Sequence, residues 1–456
     1  MELTSMREFL LNAGCGQRPL LGYINVDIDK HSKADVMCAL GALPFRNEVF
    51  SRIVCNHVLE HLNEDVWQGG VEISYAILEF ARVLRESYHS YFRHLEKERY
   101  EYIFIETATP SWENDSRIIS EIHNRMPQSK IVITGPIAAT KSDEILTYYP
   151  VHACIRGEYE KGSVRVLDGK CGIVDFDLLT PEEMNSGLFA YFDEVYACRY
   201  WDANPIGQTA PHAQIWSSRE CPFKCILCVW PATMTGNDPD RTGLRVVRYY
   251  TADYIEAFIR ELLERFHFKC IFFDDDTFNL GNKHVIEMCE VMRRIRIPWA
   301  ATCRADTIKI DTWRLMTESG CFGVKIGFES GNQWVVDKIV NKHLDLEYAG
   351  GVVHELKRLG MTVHGTFTYG LPGETKKQML DTKRFIASLP LDSYQESGTA
   401  ETEGTPLHTL CETGKLDKYQ GARIDANYRG EVDGNKKWQH LVEELKEDRQ
   451  TAGGLS

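Results

Sequence analysis

Apolar and polar positions alternate along the chain in a pattern that predicts parallel β-strands joined by helices. Short apolar runs predict buried strands near residues 102–105, 131–133, 215–216, 271–273, 299–301, 324–326 and 363–367. Apolar residues at helical spacing predict helices over about residues 114–126, 252–266, 282–295, 311–318, 332–340, 345–359 and 375–388. Because strands that alternate with helices form parallel sheets, the pattern predicts an α/β fold.

Four regions follow from this pattern: residues 1–62, 63–205, 206–410 and 411–456. The first holds three short strands around a glycine-containing loop, and the second continues as an α/β region towards an irregular linker over residues 181–211. The third repeats strand–helix units, and the fourth is polar with one helix over residues 437–448. We therefore predict a Rossmann-like N-terminal α/β region followed by a partial (β/α)6 TIM-type barrel.

Charge and composition narrow the classes of function. The 456 residues include 52 basic and 66 acidic side chains, which gives a net charge of −14. This charge disfavours a protein whose main partner is nucleic acid, because phosphate backbones attract basic surfaces. The chain has no apolar run of the ~18 residues that span a membrane. Residues 1–9 also lack the apolar stretch of a signal peptide, so we expect a cytoplasmic protein.

Three of the 14 cysteines are clustered, at Cys221, Cys225 and Cys228, directly after a predicted strand. Their spacing is Cys-x3-Cys-x2-Cys. In a reducing compartment, clustered cysteines indicate metal binding or catalysis rather than disulfides. Three thiolates can hold one iron–sulfur cluster and leave one iron open, as a catalytic metal site requires. A zinc site with a further ligand and three incidental buried thiols are the alternatives.

Motifs in the same order extend beyond the cysteines. The Cys-x3-Cys-x2-Cys loop after the first barrel strand resembles that of the radical S-adenosylmethionine (SAM) superfamily. Four further segments resemble the second to fifth strands of that family, at residues 270–279, 301–306, 320–331 and 365–374. The likeness covers residues 206–410. Five motifs in order are far more specific than the cysteines alone.

The resemblance implies a cofactor set and roles for named residues. Cys221, Cys225 and Cys228 would hold a [4Fe-4S] cluster whose open iron chelates SAM, and an electron from the cluster would generate a 5′-deoxyadenosyl radical. An external donor such as flavodoxin or ferredoxin would supply that electron. The implied SAM contacts are Asp275 from the acidic run 274–276, Arg304 for the SAM carboxylate, Glu329 for its amine or ribose, and Gly370 near the adenine.

An α/β domain before such a barrel resembles the cobalamin-binding branch of the superfamily. Thr107, Thr109 and Gly135 follow strand ends, where small residues suit a flat corrin, and residues 156–158 read Arg-Gly-Glu as at the end of that domain. The resemblance therefore implies cobalamin as a further cofactor. The lower-ligand motif Asp-x-His-x-x-Gly is missing at its usual place, so the lower face of cobalt would be open or bound to water.

Residues 1–62 resemble the start of a class I SAM methyltransferase. Residues 12–16 look like its glycine loop, Asp27 or Asp29 like its ribose-binding acid, and residues 56–62 like its fourth-strand region. A complete domain of that class needs far more chain than 62 residues. We therefore interpret this segment as a relic or docking module without catalysis.

The leading functional hypothesis is a cobalamin-dependent radical SAM enzyme that methylates an unactivated carbon of a small molecule. A radical rearrangement or cyclisation without methyl transfer is the first alternative. A tRNA-modifying enzyme similar to methylthiotransferases is another, which the net charge disfavours. A conventional class I methyltransferase with a structural metal is a further alternative. A module that only binds is least favoured, because the cysteine motif has no purpose without chemistry.

Overall fold

A computed structural model describes the chain at residues 10–13, 24–27, 36–37, 52–55, 88–109, 111–190, 192, 211–235, 245–399 and 401–415. The packing divides the chain into two units, Met1–Ile103 with Ser120–Lys130 and Phe104–Ile119 with Ile131–Ser456. Predictions for residues 14–16, Asp29, 56–62 and the helix over 437–448 lie outside the described residues. The four domain boundaries stay a prediction.

The first unit contains a small parallel sheet. Its strands are β1 Leu10–Ala13, β2 Ile24–Asp27, β3 Val36–Met37 and β4 Arg52–Cys55, in the order β3-β2-β1-β4. The parallel pairings put β1 in the middle, which is the strand order of the first half of a Rossmann fold. Helix α1, Tyr88–Glu98, also lies in this unit and buries Phe92 and Leu95.

A second four-stranded sheet follows along the chain. Its strands are β5 Tyr102–Glu106, β6 Lys130–Thr134, β7 Ala153–Ile155 and β8 Gly172–Val174, in the order β5-β6-β7-β8. The helices of this region are α2 Trp112–Arg125, α3 Pro136–Tyr148, α4 Glu160–Leu167 and α5 Pro181–Ser186. β7 pairs in parallel with β6 and with β8, as predicted for alternating strands and helices.

Helix α5 corrects one prediction. We expected an irregular linker from residue 181 onwards, but Pro181–Ser186 is helical. Thr180 and Glu183 form a reciprocal capping box, and Pro181 begins the first turn with its dihedral angle already suited to a helix. The prediction was wrong at its first six residues because the proline that marks a turn also suits a helix start.

The largest sheet has six parallel strands. The strands of this region are β9 His212–Ile215, β10 Ser218–Arg219, β11 Arg248–Tyr249, β12 Cys270–Phe273, β13 Trp299–Cys303, β14 Cys321–Glu329, β15 Thr362–Tyr369 and β16 Ser393–Gly398. The sheet order is β16-β15-β14-β13-β12-β9, with all neighbours parallel, while β10 and β11 form a separate antiparallel pair. The predicted (β/α)6 architecture is confirmed.

Helices connect and follow these strands. They are α6 Ala252–Arg265, α7 Asn282–Ile295, α8 Ile310–Glu318, α9 Leu346–Arg358, α10 Lys376–Ser388 and α11 Pro406–Glu412, with π-helical turns at Pro231–Thr235 and Val335–Ile339. Each helix lies within two residues of its predicted bounds, except that the helix predicted over 332–340 is the π turn at Val335–Ile339 and that α11 was not predicted. Among the described residues, no helix combines the length and apolar character needed to cross a membrane.

The two faces of the six-stranded sheet differ in polarity. Outward side chains such as Ile271, Phe273 and Val324 belong to one large apolar core that also contains residues of α6 to α9. Successive strand residues point to opposite faces, so the intervening residues point into the barrel. Because the helices bury the outer face, the inner face and the carboxyl ends of the strands are left to form a site.

Candidate active site

The three clustered cysteines lie on one loop, residues 220–228, which we call the cluster loop. It begins directly after β10, and Glu220 enters it with a φ of 81°, an uncommon backbone conformation for a residue other than glycine. The Ile226 N–H donates to the Val340 carbonyl at 2.8 Å, which fastens the loop beside the π turn after β14. The Cys221 thiol lies 3.6 Å from the Thr277 hydroxyl, just beyond the end of β12.

Two arginines stack on aromatic rings at the cluster loop. The Arg304 guanidinium lies 3.7 Å from the ring centre of Phe223, between the first two cysteines. The Arg245 guanidinium lies 3.9 Å from the ring centre of Trp230 and also donates to the Phe223 carbonyl. Cation–π contacts of this kind are worth ~0.5–2 kcal/mol each. Together they hold the loop against the carboxyl ends of the strands.

The thiols are free, and their surroundings disfavour an uncompensated negative charge. The three thiols form no disulfide, and burial raises the pKa of Cys221 and Cys225, and that of Cys228 to about 12. A bound metal would compensate the thiolate charges. No three His, Cys, Asp or Glu side chains in the described ranges converge on one metal-ion position. Three thiolates on one loop are a donor set that fits an iron–sulfur cluster.

Arg304 keeps one nitrogen for a ligand. Its Nε donates to Asp306 Oδ1 at 2.5 Å and its Nη2 to the Lys342 carbonyl at 2.6 Å. The Nη1 atom is buried and has no hydrogen-bond partner among the described residues. A buried donor left unpaired costs about 1–3 kcal/mol, which a carboxylate ligand would recover. Arg304 therefore fits the SAM carboxylate as the sequence implied.

Glu329 lies at the end of β14 and is part of a small ionic group. The Lys342 ammonium donates to Glu329 Oε1 at 2.9 Å, and Thr368 donates to Oε2 at 3.1 Å. Burial opposes the charge of Lys342, but Glu329 and then Cys225 hold its pKa above the usual value. Lys342 therefore links a predicted SAM residue to a cluster cysteine. Sequence reasoning missed it because it lies 11 residues beyond the motif that ends at Gly331.

Gly370 lies in open space at the end of β15. Its φ is 73°, and an added Cβ would meet no atom within 4 Å. The backbone N–H groups of Gly370 and Leu371 donate to Glu374 Oε2 at 2.9 and 3.1 Å. The other oxygen, Glu374 Oε1, is buried without a partner among the described residues, and burial raises the pKa of Glu374 to about 7. The open space fits the predicted approach of a ligand to this backbone.

The three aspartates of the acidic run after β12, residues 274–276, have different surroundings. Asp275 is buried and accepts hydrogen bonds from the N–H and hydroxyl of Ser217 and the hydroxyl of Ser218, and burial raises its pKa to about 6. These contacts give Asp275 a structural role at the β9–β10 corner. After burial, the charge of Asp276 contributes to raising the pKa of Cys221 and Cys228. Asp276 is exposed, and its charge acts on two of the three thiols.

The inner face of the six-stranded sheet is polar near the carboxyl ends of the strands, whereas Phe272, Ala300 and Phe322, which lie earlier in their strands, form a small apolar cluster. Asp274 accepts from Gln214 at 2.5 Å and from Thr302 at 3.1 Å. In the pairing register, Thr302 is opposite Lys325, and Lys325 is opposite His364. Interiors of closed barrels are filled by branched apolar residues. The polar and partly exposed inner side chains here suit a binding cavity instead.

The predicted cobalamin residues have mixed environments. Thr107 donates to Asp115 Oδ2 at 2.5 Å, next to the start of α2. Gly135 has a φ of 87°, and an added Cβ would lie 2.5 Å from the Thr107 carbonyl oxygen, so the turn itself requires glycine. Thr109 differs, because its buried hydroxyl has no partner among the described residues. Of the three, Thr109 is the residue whose environment fits a bound group.

Residues 217–386 match the Radical SAM superfamily. This part of the chain is therefore similar to the superfamily that its motifs predicted. An uncharacterised methyltransferase of Pyrococcus horikoshii is 24% identical over 322 residues, covering 66% of this chain and 67% of that protein. A cytidylyl-2-hydroxyethylphosphonate methyltransferase of Streptomyces wedmorensis is 27% identical over 233 residues, covering 48% of this chain and 40% of that protein. The matched region thus covers about two thirds of the length of the first relative and less than half of the second.

A solved structure resembles nearly the whole chain. It is the radical S-adenosylmethionine methyltransferase TsrM from Kitasatospora setae with cobalamin and a [4Fe-4S] cluster bound. The TM-score is 0.57 at 14% sequence identity, and the match covers 94% of this chain and 84% of that one. At this identity the likeness shows a shared fold. The predicted α/β region followed by a radical SAM barrel is confirmed.

Proposed function

We propose that the protein is a radical SAM enzyme that methylates a carbon atom of a small molecule and uses a [4Fe-4S] cluster, SAM and cobalamin. The observation that carries this proposal is the cluster loop, with three free thiols held at the carboxyl ends of six parallel strands. The relatives from Pyrococcus horikoshii and Streptomyces wedmorensis are both named methyltransferases. The structural relative TsrM is a methyltransferase with cobalamin and a cluster bound. When bound, these groups supply the electron that cleaves SAM and the methyl group that is transferred.

The side chains around the cluster loop have separate proposed roles. Cys221, Cys225 and Cys228 hold the cluster, and the unpartnered Arg304 Nη1 binds the SAM carboxylate. Glu329, held by Lys342, accepts from the amine or ribose of SAM. The open backbone at Gly370 receives the adenine. Asp276 replaces Asp275 as the acidic residue that faces the cofactor.

Polar side chains on the inner face support a polar small molecule as the substrate. The Nε2 atom of His364 is buried without a partner among the described residues, while its Nδ1 is 2.8 Å from the Ser393 hydroxyl. Burial and then the charge of Lys325 lower the pKa of His364 to about 4, so the ring is neutral at pH 7. A neutral ring nitrogen can exchange a hydrogen bond with a substrate hydroxyl or amide.

Two further elements of the proposal concern the cellular setting. An external one-electron donor such as flavodoxin or ferredoxin would reduce the cluster. The cytoplasm is the proposed location, because a reducing compartment keeps the thiols of the cluster loop available.

Anaerobic purification with iron, sulfide and corrinoid assays tests the cofactor set. We expect about four irons per chain and a bound corrinoid. Under reducing conditions with SAM and candidate polar substrates, we expect both 5′-deoxyadenosine and S-adenosylhomocysteine. Formation of 5′-deoxyadenosine without S-adenosylhomocysteine would contradict methyl transfer and favour a rearrangement. An iron-free protein that retained activity would overturn the radical chemistry.

A further inference from the structure

A buried ionic cluster joins the end of the β5–β8 sheet to the cluster loop. Glu158 closes the Arg-Gly-Glu run after β7, and its side chain is 3% exposed. The Arg248 guanidinium binds it with two contacts, Nη2 to Oε1 at 2.6 Å and Nη1 to Oε2 at 3.1 Å. The Leu179 N–H also donates to Oε2, at 2.9 Å. A two-point arginine–carboxylate contact of this kind fixes direction as well as distance.

The Glu158 carboxylate is also linked to Arg219, the last residue of β10, and to Glu220, the first residue of the cluster loop. Arg219 Nη1 lies 3.1 Å from Glu158 Oε1. Arg248 Nη2, already bound to Glu158, also lies 2.9 Å from Glu220 Oε1. Glu220 is the residue before Cys221. Glu158 is therefore connected directly to one of these residues and, through Arg248, to the other.

The conformation held by this cluster needs support. Glu220 has a φ of 81°, a strained conformation for a residue other than glycine, so its surroundings must enforce it. Its side chain is 4% exposed and its carboxylate pairs with Arg248. Burial acts to raise the pKa of Glu158, but the hydrogen bonds from Arg248 and Leu179 and the charges of the two arginines together outweigh it, and the pKa lies below its usual value. The carboxylate of Glu158 is therefore charged at neutral pH.

We propose that Glu158 is a positioning residue that fixes where the cluster loop places Cys221, acting through Arg219 and Arg248. Glu158 touches no thiol, so it acts through these two side chains. The inference rests on the proposed iron–sulfur function of the loop. It goes beyond that function by assigning a role in the cluster's environment to a residue of the preceding α/β region, 63 positions before Cys221 in the sequence.

The test compares two carboxylates close to the Arg-Gly-Glu run in the reconstituted, full-length protein. Glu158→Gln keeps the shape of the side chain and removes its charge. Asp175→Asn is the matched control, because Asp175 accepts from Arg156 of the same run at 3.2 Å but its side chain is 78% exposed and lies outside the group formed by Glu158, Arg219, Arg248 and Glu220. Readouts are iron content, the electron paramagnetic resonance spectrum of the reduced cluster with and without SAM, its midpoint potential and the rate of SAM cleavage.

We expect Glu158→Gln to keep its iron, to alter the spectrum and its response to SAM, and to slow SAM cleavage by ~10–100-fold, the effect of displacing a reacting group by about 1 Å. Asp175→Asn should match the parent protein, and Glu158→Asp should restore part of the rate. An unchanged spectrum, potential and cleavage rate in Glu158→Gln would overturn the proposal and leave Glu158 a purely structural contact.

A second variant covers the case in which Glu158→Gln does not fold. Glu220→Gln weakens only the contact with Arg248 at 2.9 Å and leaves the two-point contact of Glu158 in place. We expect the same direction of spectral change from a folded protein, and a spectrum identical to that of the parent would count against the proposal. Failure of the proposed function looks different, because the parent protein itself would then hold no iron and cleave no SAM.

Discussion

The strand ends of the six-stranded sheet and those of the β5–β8 sheet both carry small and polar residues, but they use them differently. At the barrel, Arg304 and Glu374 each keep a buried atom without a partner among the described residues, and Gly370 faces open space. At the other sheet, Thr107 and Gly135 are used in local turns. Only Thr109 of the residues predicted there keeps an unpartnered group. The barrel end therefore shows more unmet hydrogen-bonding capacity, and this difference can be tested.

The largest effect is expected from the cluster loop. Cys225→Ala should reduce the iron content to below half of the parent value and slow SAM cleavage by more than ~100-fold, since even changes beyond the metal ligands cost 10–100-fold. Cys171→Ala is the control, because Cys171 is an exposed free thiol outside the loop. Equal loss of iron in both variants would show that the cysteine spacing is not what holds the metal.

Alanine in place of Gly135 should mainly reduce stability, whereas alanine in place of Gly370 should mainly weaken SAM binding. Gly135→Ala would bring a Cβ within 2.5 Å of the Thr107 carbonyl oxygen at a φ of 87°, so we expect a loss of ~2–4 kcal/mol in unfolding free energy. Gly370→Ala meets no atom within 4 Å at a φ of 73°, so we expect a loss of only ~1 kcal/mol, together with weaker SAM binding. Chemical denaturation and SAM titration measure the two effects. If Gly370→Ala destabilised the protein more than Gly135→Ala, the contrast between the two sheets would be contradicted.

Glu374 should make stability depend on pH. Burial raises its folded-state pKa to about 7 from 4.5, so the folded protein holds this proton when the unfolded chain has lost it. The contribution to stability is fully present below about pH 4.5 and is lost as the pH rises to about 7, a change of about 3 kcal/mol. Glu374→Gln keeps an acceptor for the two loop N–H groups and removes the titration. The difference in denaturation midpoint between parent and variant should therefore grow from pH 5 to pH 8, and a constant difference would contradict the assignment.

The smallest effect on folding is expected at Thr109. Thr109→Val removes a buried hydroxyl that has no partner among the described residues, so stability should not fall below the parent value. If that hydroxyl serves the corrin, corrinoid retention after gel filtration should fall while iron content stays constant. Thr107→Val is the contrasting variant, since it loses a hydrogen bond to Asp115 and should destabilise the fold. Unchanged corrinoid retention in Thr109→Val would remove this residue from the proposed site.

Strands with apolar runs could be predicted from the sequence, and strands without them could not. β12, β13 and β15 show such runs and lie within two residues of the prediction. β16 reads Ser-Tyr-Gln-Glu-Ser-Gly and has no apolar run, because as an edge strand it is largely exposed. Its pairing with β15 creates the strand, and pairing between distant segments is not visible in a local pattern.

The same limit applies to the candidate site. The cysteine spacing identified the cluster loop because all three ligands are local in sequence. The contacts of Phe223 with Arg304, and of Glu329 with Lys342, depend on chain segments that meet only in the folded protein. Asp275, not Asp276, was predicted as the SAM contact, because sequence spacing cannot tell which side chain of an acidic run is buried. The contacts of Asp275 with Ser217 and Ser218 form only in the folded protein.

The strand order of the barrel has a consequence for how such a protein can diversify. β9 and β16 are the two outer strands of the six and do not pair with each other, so the sheet has a seam along one side. In a closed barrel the number and tilt of the strands fix the diameter. In this sheet no backbone pairing of β9 with β16 fixes the width in that way. A change in the spacing of these two outer strands would alter the size of molecule admitted while the four inner strands stay unaltered.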